Sequence, residues 1–478
     1  MSDDEKEITD HEGPCLTTCT GCCPTRTVPK KYAITVITAL WGLFTNIERA
    51  IILPTMWLYF ITYWSEDTAK KFYGATMAAF SLSVLLFTPL YGYAAHRGVQ
   101  TKYLVVLANL IEILGNLAYL IARQPWVVLV GRFISGIGGS CDTPMYADLA
   151  RTTTVKERTP YVAVTYVFKQ IGIVFGPACT LLMHKLHWQM GNFKLSVYNG
   201  PGLLMACLWC LHTILVILFY PFVKKPQHPG SDVQSEKQEL ILNDRTKKRN
   251  RGCCEKECEK LKVYRTYPVL AMFVMVLTAY FCVMSLETVL SPVVNHYFNW
   301  NEVKVSYVYL CASGVLIIMC FVLHFLSKRI EDRRLALVGF ILLVLAYALL
   351  TCITAFIQYT TELIGISLIM TGILIHVIGM PLALAVTESL YTKKVPRDDL
   401  DRALSYLRCV SNLGYLLGPL EGGVFVAYSY LVFLGNFVLS VVSLGLIACR
   451  YSAFRVDEDA SKYEKIVEQT LPAETSKK

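Results

Sequence analysis

The stretch Gln170-Ile-Gly-Ile-Val-Phe-Gly-Pro177 decides the fold of this chain, because it returns in the second half as Asn412-Leu-Gly-Tyr-Leu-Leu-Gly-Pro419. In a helix, two glycines four residues apart leave two bare patches on one face, so a neighbouring backbone can approach closely. The proline frees a carbonyl group and bends the helix, which a packed membrane bundle tolerates. Small-residue packing would explain either copy alone, but recurrence at matching places predicts a duplicated fold. The residues of the repeat are Gly172, Gly176, Pro177, Gly414, Gly418 and Pro419.

The composition predicts a membrane protein. Of the 478 residues 54% are hydrophobic and only 17% are charged, and a water-facing surface needs more charge than that. The first 28 or so residues are polar and Cys-rich, so we expect no cleavable signal peptide. The net charge of +9 lies mostly in loops between apolar segments. That placement indicates membrane topology and argues against a nucleic-acid partner.

Apolar runs bounded by charge, proline and glycine predict about twelve transmembrane helices, because a helix needs roughly 17–25 apolar residues to cross a bilayer. The last two runs are separated by so few residues that their hairpin must be tight. The predicted spans are Ala33–Phe60, Phe72–Ala95, Tyr103–Ala122, Trp126–Asp148, Tyr161–Leu186, Tyr198–Val223, Tyr267–Tyr297, Val303–Leu326, Leu335–Ile357, Leu363–Tyr391, Ala403–Tyr428 and Tyr430–Cys449.

Lysine and arginine concentrate in the loops of one side, which places both termini and the central loop in the cytosol. An even number of spans is then required. Two six-helix halves that each begin and end on the cytosolic side are parallel repeats about an axis along the membrane normal. The predicted divisions are a Cys-rich tail (1–31), a first half (32–223), a basic central loop (224–266), a second half (267–450) and a C-terminal tail (451–478).

Several motifs resemble those of major facilitator transporters. The stretch Gly131-Arg-Phe-Ile-Ser-Gly-Ile-Gly-Gly139 resembles the fourth-helix motif, and Gly172–Pro177 resembles the fifth-helix motif. The loop around Arg97 resembles the cytosolic gate motif, with His96 where an acidic residue is usual, and the loop around Arg329 is its counterpart in the second half. The resemblance implies an all-α membrane protein with the major facilitator fold, in two pseudo-symmetric six-helix halves.

The resemblance covers about residues 33–450 and extends to an endolysosomal branch of the superfamily. It implies an endolysosomal membrane protein and an association with chloride movement, although no residue pattern indicates chloride. The stretches that carry this likeness are Trp57, Gly131–Gly139, Glu157–Thr159, Leu326–Arg329 and Leu390–Lys393.

Ionisable side chains inside the predicted spans are costly and are therefore functional candidates. The resemblance implies that the first, fourth, seventh and tenth spans line a central cavity. Candidates on those spans are Arg132, Glu48, Arg49, Asp142, Glu287 and His376. Further intramembrane charges are Glu112, Lys169, Glu388 and Arg408, the last two nearer the cytosolic interface.

Two interpretations of these charges stay open. A carboxylate and a cation in one cavity can exchange partners on protonation, which would couple protons to an anionic solute, or they can form a permanent structural pair. Arg132 is the foremost candidate, because Gly136 and Gly139 leave room beside it. Glu48 and Arg49 are adjacent, so they point about 100° apart on the helix and must face different partners. His376 is either a pH sensor or a hydrogen-bonded core residue.

The tail and central loop carry cysteine clusters and sorting signals. Of 17 cysteines, those in Cys15–Cys23 and Cys253–Cys258 fit S-acylation better than zinc binding, so we expect no metal and no cofactor. Leu240-Ile241 after Glu236 resembles an acidic dileucine signal and Tyr463-Glu-Lys-Ile466 a tyrosine-based one. Both could be bound by clathrin adaptors, and they favour an endosomal or lysosomal membrane over the plasma membrane.

Three functions are compatible with this sequence. The first is a secondary transporter that moves a small solute by alternating access. An organic or inorganic anion coupled to protons is one candidate, but acidic and basic groups both occur on the cavity-lining spans, so the charge of the solute stays open. The second is a passive chloride-like anion channel through the same bundle. The third is a non-transporting scaffold or sensor. No H-E-x-x-H, G-x-S-x-G or phosphate-binding glycine loop is present, so an enzyme is not expected. We expect a monomer.

Overall fold

A computed structural model describes residues 30–153, 155–185, 188–190, 193–223, 263–395 and 400–455. The two cytosolic cysteine clusters and the sorting residues Leu240, Ile241, Tyr463 and Ile466 lie outside the described residues.

Among the residues described, the first half has eight helices and one small hairpin. The helices are α1 (Lys30–Ile51), α2 (Met56–Tyr63), α3 (Glu66–His96), α4 (Thr101–Leu120), α5 (Pro125–Gly139), α6 (Asp142–Thr152), α7 (Val155–Met183) and α8 (Gly200–Phe219). Strands β1 (Trp188–Met190) and β2 (Phe193–Leu195) pair antiparallel between α7 and α8. Gly98 has a φ of +94° in the turn between α3 and α4, a conformation that favours glycine.

In the described part of the second half there are six helices. They are α9 (Tyr267–Phe298), α10 (Glu302–Leu326), α11 (Asp332–Phe356), α12 (Glu362–Lys394), α13 (Leu400–Val424) and α14 (Ser429–Cys449). Short 3-10 turns follow α11 at Ile357–Tyr359, α13 at Val426–Tyr428 and α14 at Tyr451–Phe454. The tight hairpin expected between the last two spans is the turn at Val426–Tyr428.

Each of the twelve predicted spans corresponds to a helix or to a pair of helices. Within the described ranges, nine helices are long and apolar enough to cross a membrane, and the bent pair of α1 and α2 makes ten. The remaining two predicted spans correspond to α5 with α6 and to α13. The chain is not helical between α5 and α6, and α13 carries several polar and charged side chains.

Two of the predicted spans are each formed by two helices with a break between them, not by one continuous helix. The first breaks between Ile51 and Met56, where Pro54 lies, and its two parts meet at 45°. The fourth breaks at Ser140 and Cys141, directly after the consecutive glycines at 138 and 139. Proline and glycine are both unfavourable inside helices, so each break lies where the helix is locally weakest.

The glycines of the repeat lie where helices cross within each half. A Cβ atom on Gly172 of α7 would be 2.5 Å from the Leu43 carbonyl oxygen of α1, and Gly176 faces Ala50 one turn further. In the second half, a Cβ on Gly414 of α13 would be 2.7 Å from the Tyr280 Cβ of α9. The repeat therefore serves the same purpose twice, which is to bring the fifth span of each half onto the first.

The halves contact each other along two helix pairs, α3 with α13 and α7 with α10. Bulky apolar side chains cover the outside of the bundle, as a lipid-facing surface requires. Exposed examples are Leu107, Leu114, Ile318, Phe321 and Phe325. We call the end of the bundle with Lys30, Arg97 and Lys393 the basic end, and the other the opposite end.

Candidate functional site

A cavity of about 210 Å³ lies between the two halves. Four of the six predicted pathway residues line it: Arg49, Arg132, Asp142 and Glu287. Gly139 and Pro419 also reach its wall, whereas Glu48 and His376 are not among the lining residues. The cavity is smaller than the roughly 300–1,000 Å³ of drug-sized ligand pockets. It therefore has room for a small solute in this conformation.

An ion pair crosses the cavity from one half to the other. The Arg49 Nη2 of α1 lies 3.0 Å from the Glu287 Oε1 of α9, and each side chain is 21% exposed. The Arg49 guanidinium also lies 5.6 Å from the Tyr415 ring centroid of α13. Its Nε is buried without an acceptor among the described residues. Arg49 thus links the halves and keeps one N–H group for a further acceptor.

A second ion pair lies inside the first half. The Arg132 Nη1 of α5 donates to Glu48 Oε1 of α1 at 2.7 Å, and both side chains are almost fully buried. Trp209 of α8 donates its indole N–H to Glu48 Oε2 at 2.8 Å, so both carboxylate oxygens have donors. Arg132 also lies 4.8 Å from the Phe80 ring centroid, and its Nε has no acceptor in the described structure.

Glu48 and Arg49 therefore face different partners, as a rotation of about 100° between neighbouring helix positions requires. Glu48 turns inward to Arg132, and Arg49 turns across the cavity to Glu287. Glu112 of α4 is fully buried behind the Glu48–Arg132 pair. Its position next to the cavity wall was not part of the predicted pathway.

A third pair joins the halves nearer the basic end. The Arg408 Nη1 of α13 lies 3.0 Å from Asp142 Oδ2 at the start of α6. Tyr146 stands beside this pair, with the Arg408 guanidinium 6.0 Å and the Lys169 ammonium 5.1 Å from its ring centroid. These contacts lie between the cavity and the basic end. Arg408 is thus bonded across the interface between the halves.

The opposite end is held by several contacts between the halves. Trp57 donates to Asn295 Oδ1 at 3.2 Å, and the Tyr73 hydroxyl donates to the Thr288 carbonyl at 2.6 Å. The backbones of α3 and α13 also meet closely at Gly74 and Gly423. In the conformation described, contacts between the halves thus lie on both sides of the cavity.

His376 lies inside the second half and does not face the cavity. It is buried, with Nδ1 3.0 Å from the Tyr347 hydroxyl, which in turn donates to the Cys282 carbonyl at 2.9 Å. This environment is that of a hydrogen-bonded core histidine. Nearby, Glu421 of α13 accepts a hydrogen bond from Ser285 at 2.8 Å, a carboxylate that the sequence-based candidates did not include.

The predicted gating arginines lie at the basic end. Arg97 donates from Nε to the Tyr93 hydroxyl at 2.8 Å, and Arg329 is exposed in the turn after α10. At the start of α11, Arg333 donates a hydrogen bond to the Glu331 carboxylate at 2.6 Å, and this bond holds the pKa of the Glu331 carboxyl group below its usual value. No ion pair with Arg97 or Arg329 is seen among the described residues.

Sequence patterns missed two residues described here, Trp209 and Glu421. Trp209 gives no signal because an indole in an apolar helix is usually ordinary packing. Glu421 carries the signal of an ionisable residue inside a span but was not among the candidates. Arg408 was named as an intramembrane charge, but its bond to Asp142 of the other half was not predicted. Within the described residues no cluster of His, Cys, Asp or Glu has the geometry of a metal site.

Comparison with known proteins gives a family. The family model described as "Major Facilitator Superfamily" matches residues 38–395. The chain is 21% identical over 313 residues to major facilitator superfamily domain-containing protein 8 of Xenopus laevis. The aligned region covers 62% of this chain and 58% of that protein. It is 23% identical over 316 residues to the class B tetracycline resistance protein of Escherichia coli, covering 63% and 68%.

Solved structures agree with the fold. The chain superposes on a D-xylose-proton symporter with a TM-score of 0.64 at 12% identity, covering 87% of this chain and 97% of the symporter. At that identity the match establishes the architecture alone. The predicted major facilitator fold and the predicted family likeness are both confirmed.

Proposed function

The chain belongs to the Major Facilitator Superfamily, and we propose that it moves a small anionic solute across the membrane by alternating access, coupled to protons. A transporter, rather than an enzyme, is what this family implies, and the chain is a multi-pass membrane protein. The observation that carries the proposal is the cavity between the halves, into which Arg49 and Arg132 both reach.

The case for an anionic solute rests on unused hydrogen-bond donors. Arg49 and Arg132 line the cavity, and each has a buried Nε without an acceptor in the described structure. Guanidinium groups bind carboxylate and phosphate through paired N–H groups, and such charge-assisted bonds are stronger than neutral ones. An anionic group entering the cavity would supply the missing acceptors.

The case for alternating access over a passive channel rests on where the halves touch. Arg49–Glu287 and Asp142–Arg408 join the halves at two levels of the cavity, and Trp57–Asn295 and Tyr73–Thr288 join them at the opposite end. A channel needs a continuous path, whereas a transporter needs contacts that break on one side at a time.

Proton coupling would use the paired carboxylates. Protonation of Glu48 or Asp142 would weaken its bond to the partner arginine and free that arginine for the solute. For location, we propose the endosomal or lysosomal membrane with both termini in the cytosol. That proposal is supported by the sequence signals at Leu240-Ile241 and Tyr463–Ile466 and by the distribution of basic loops.

The test is flux into proteoliposomes with a panel of small organic and inorganic anions. We expect saturable uptake that a proton gradient accelerates. In Arg49→Lys and Arg132→Lys, which keep the charge but lose the planar N–H pair, the apparent affinity should fall about tenfold, equivalent to about 1.4 kcal/mol. Arg334→Lys, at an exposed position outside the cavity, is the matched control.

Two results would contradict the proposal. A current that is linear in driving force and does not saturate with anion concentration would assign a channel. The absence of both flux and current across the whole panel, from protein that unfolds cooperatively, would assign a scaffold or sensor.

A further inference from the structure

Glu112 is a buried acid without a visible partner. Its side chain is 0% exposed, and neither carboxyl oxygen has a hydrogen-bond donor in the described structure. An ionised carboxylate in such a position would lose its hydration and gain no hydrogen bond in return, which is unfavourable. A neutral carboxylic acid avoids most of that cost.

The neighbours of Glu112 strengthen the argument. Glu48 of α1 and Arg132 and Ser135 of α5 all lie beside the Glu112 carboxyl group, although none of them is hydrogen-bonded to it in the described structure. Tyr91 of α3 also interacts with the Glu112 carboxyl group, and His212 of α8 is hydrogen-bonded to Asn109, which lies one turn before Glu112 in α4. Arg132 is thus the only cation among these groups.

The hydrogen bonds of Glu48 and Glu112 indicate which of the two acids carries a proton. Glu48 already has a donor on each oxygen, Arg132 on one and Trp209 on the other, so it is the acid equipped to be the ionised partner of Arg132. Two carboxylates beside one guanidinium repel each other, and such pairs retain a proton between them. The acid left without donors is Glu112.

We propose that Glu112 is a proton-binding site, protonated in this conformation and directing its O–H at the Glu48 carboxylate. Its role in transport rests on the proposed function above, whereas the bound proton can be observed without any solute. The site lies between three helices. Glu112 is on α4, and the ion pair beside it joins Glu48 of α1 to Arg132 of α5.

Gly139 gives the proton a way to the cavity. It lines the cavity, and a Cβ atom placed on it would lie 3.2 Å from Glu112 Oε1 and 2.7 Å from the Phe80 ring. Gly139 therefore lies next to both the buried acid and the cavity, with Phe80 beside it. The proton of the Glu112 O–H leaves to water in the cavity, which carries it away as hydronium, and the electron pair of that bond stays on the carboxylate.

Loss of the proton changes the bonding of Arg132. An ionised Glu112 competes with Glu48 for the same guanidinium and loosens the link between α1 and α5. Arg132 lines the cavity, so the change reaches the residue that we propose binds the solute. Proton binding at Glu112 and solute binding at Arg132 are in this way coupled through one side chain.

The test is infrared spectroscopy of the reconstituted full chain, following the carbonyl stretch of protonated carboxylic acids from acidic to neutral pH. Wild type should keep a protonated-carboxyl band at neutral pH, and Glu112→Gln should lose the intensity of one carboxyl group. Glu362→Gln, at an exposed glutamate at the start of α12, should keep it. In Glu48→Gln, Glu112 is the remaining carboxylate beside Arg132 and should ionise, so the band should be lost there as well.

The outcomes are separable. An unchanged band in Glu112→Gln overturns the assignment to Glu112, and a band that persists in Glu48→Gln overturns the argument that the two carboxyl groups share one proton because they lie beside a single guanidinium. Loss of the band in Glu112→Gln with proton-driven flux unaffected supports the proton site and overturns only its role in coupling. As a second measurement, Gly139→Ala should slow the hydrogen–deuterium exchange of the band, and unchanged exchange overturns the route through Gly139.

Discussion

At the scale of residues, two arginines organise the centre of the molecule, and each is held by a glutamate of a different helix. Arg132 binds Glu48 within the first half, and Arg49 binds Glu287 across the two halves. A buried pair of this kind contributes little net stability, because desolvation offsets the attraction, but it fixes geometry and binds tightly enough to be costly to break. The supporting donor from Trp209 belongs to the same unit.

The support from Trp209 can be measured by Trp209→Phe. The variant keeps an aromatic ring but leaves Glu48 Oε2 without its donor, and hydrogen bonds to charged groups are worth about 1.5–3 kcal/mol. We expect a loss of stability of that order in equilibrium unfolding of the purified protein. Trp126→Phe is the control, because Trp126 is 57% exposed at the start of α5. Equal effects of the two variants would contradict the role of the Glu48–Trp209 bond.

At the scale of elements, the paired glycine motifs set how closely the fifth span of each half lies on the first. α7 crosses α1 at Gly172 and Gly176, and α13 crosses α9 at Gly414 and Gly418. Helices in lipid gain stability through close packing rather than through a hydrophobic effect, so removing the small residues removes the main attraction. The crossing also positions Arg49, because this residue of α1 lies between Leu43, which Gly172 faces, and Ala50, which Gly176 faces.

Gly172→Ala and Gly414→Ala test these crossings. The new Cβ would lie 2.5 Å from a carbonyl oxygen in the first case and 2.7 Å from a Cβ in the second, so backbones must move apart. Overpacking of this kind costs about 1–3 kcal/mol. We expect lower thermal unfolding midpoints for both variants in detergent.

Gly314→Ala is the matched control, because a Cβ on this glycine of α10 would meet nothing within 4 Å. Its unfolding midpoint should be unchanged or slightly raised, as alanine favours a helix more than glycine does. If Gly172→Ala and Gly414→Ala behave like this control, the close crossings do not stabilise the bundle.

At the scale of the whole molecule, the two halves are held together at several levels, and these contacts differ in strength. Arg49–Glu287 is mostly buried, whereas Asp142–Arg408 is more open, with side chains 24% and 48% exposed. Solvent screens an exposed pair, so the bond nearer the basic end is the weaker of the two. Separating the two halves at the Asp142–Arg408 pair should therefore require less energy than separating them at the Arg49–Glu287 pair.

Reversal of charge at Arg408 tests that order. Arg408→Asp places two carboxylates together, and the loss of an exposed pair worth about 0.2–1 kcal/mol should shift the open population up to about fivefold. The double variant Asp142→Arg with Arg408→Asp should restore the wild-type distribution. Distances between spin labels at residues 102 and 334 report the opening at the basic end.

The labels should be introduced through a non-natural amino acid, because ten cysteines are free in the described part of the chain. Lys102 and Arg334 lie at the starts of α4 and α11, one in each half. An unchanged distance distribution in Arg408→Asp would show that this pair does not hold the basic end closed.

The order and approximate limits of the spans followed from sequence, because apolar length and charge are local properties of a chain in a bilayer. The breaks did not follow. Pro54 and the glycines before Ser140 were visible, but whether a helix bends or continues at such a residue depends on whether its neighbours satisfy the freed backbone groups.

The candidate site was predictable as a set of residues but not as a set of bonds. Arg132, Glu48, Arg49, Asp142 and Glu287 stood out because ionisable groups inside a span are rare. The pairing of Arg408 with Asp142, the donor from Trp209 and the isolation of Glu112 depend on contacts between residues far apart in the chain. His376 had the same sequence signal as the others and lies away from the cavity.

By itself, the sequence determined that this protein crosses the membrane about twelve times in two related halves, since the glycine and proline repeat and the apolar runs act through their own helices. Only the tertiary structure decided which charges meet and which acid is left without a partner. Helical periodicity fixes the direction of a side chain relative to its own helix, but the identity of the group it meets is set by how the helices pack.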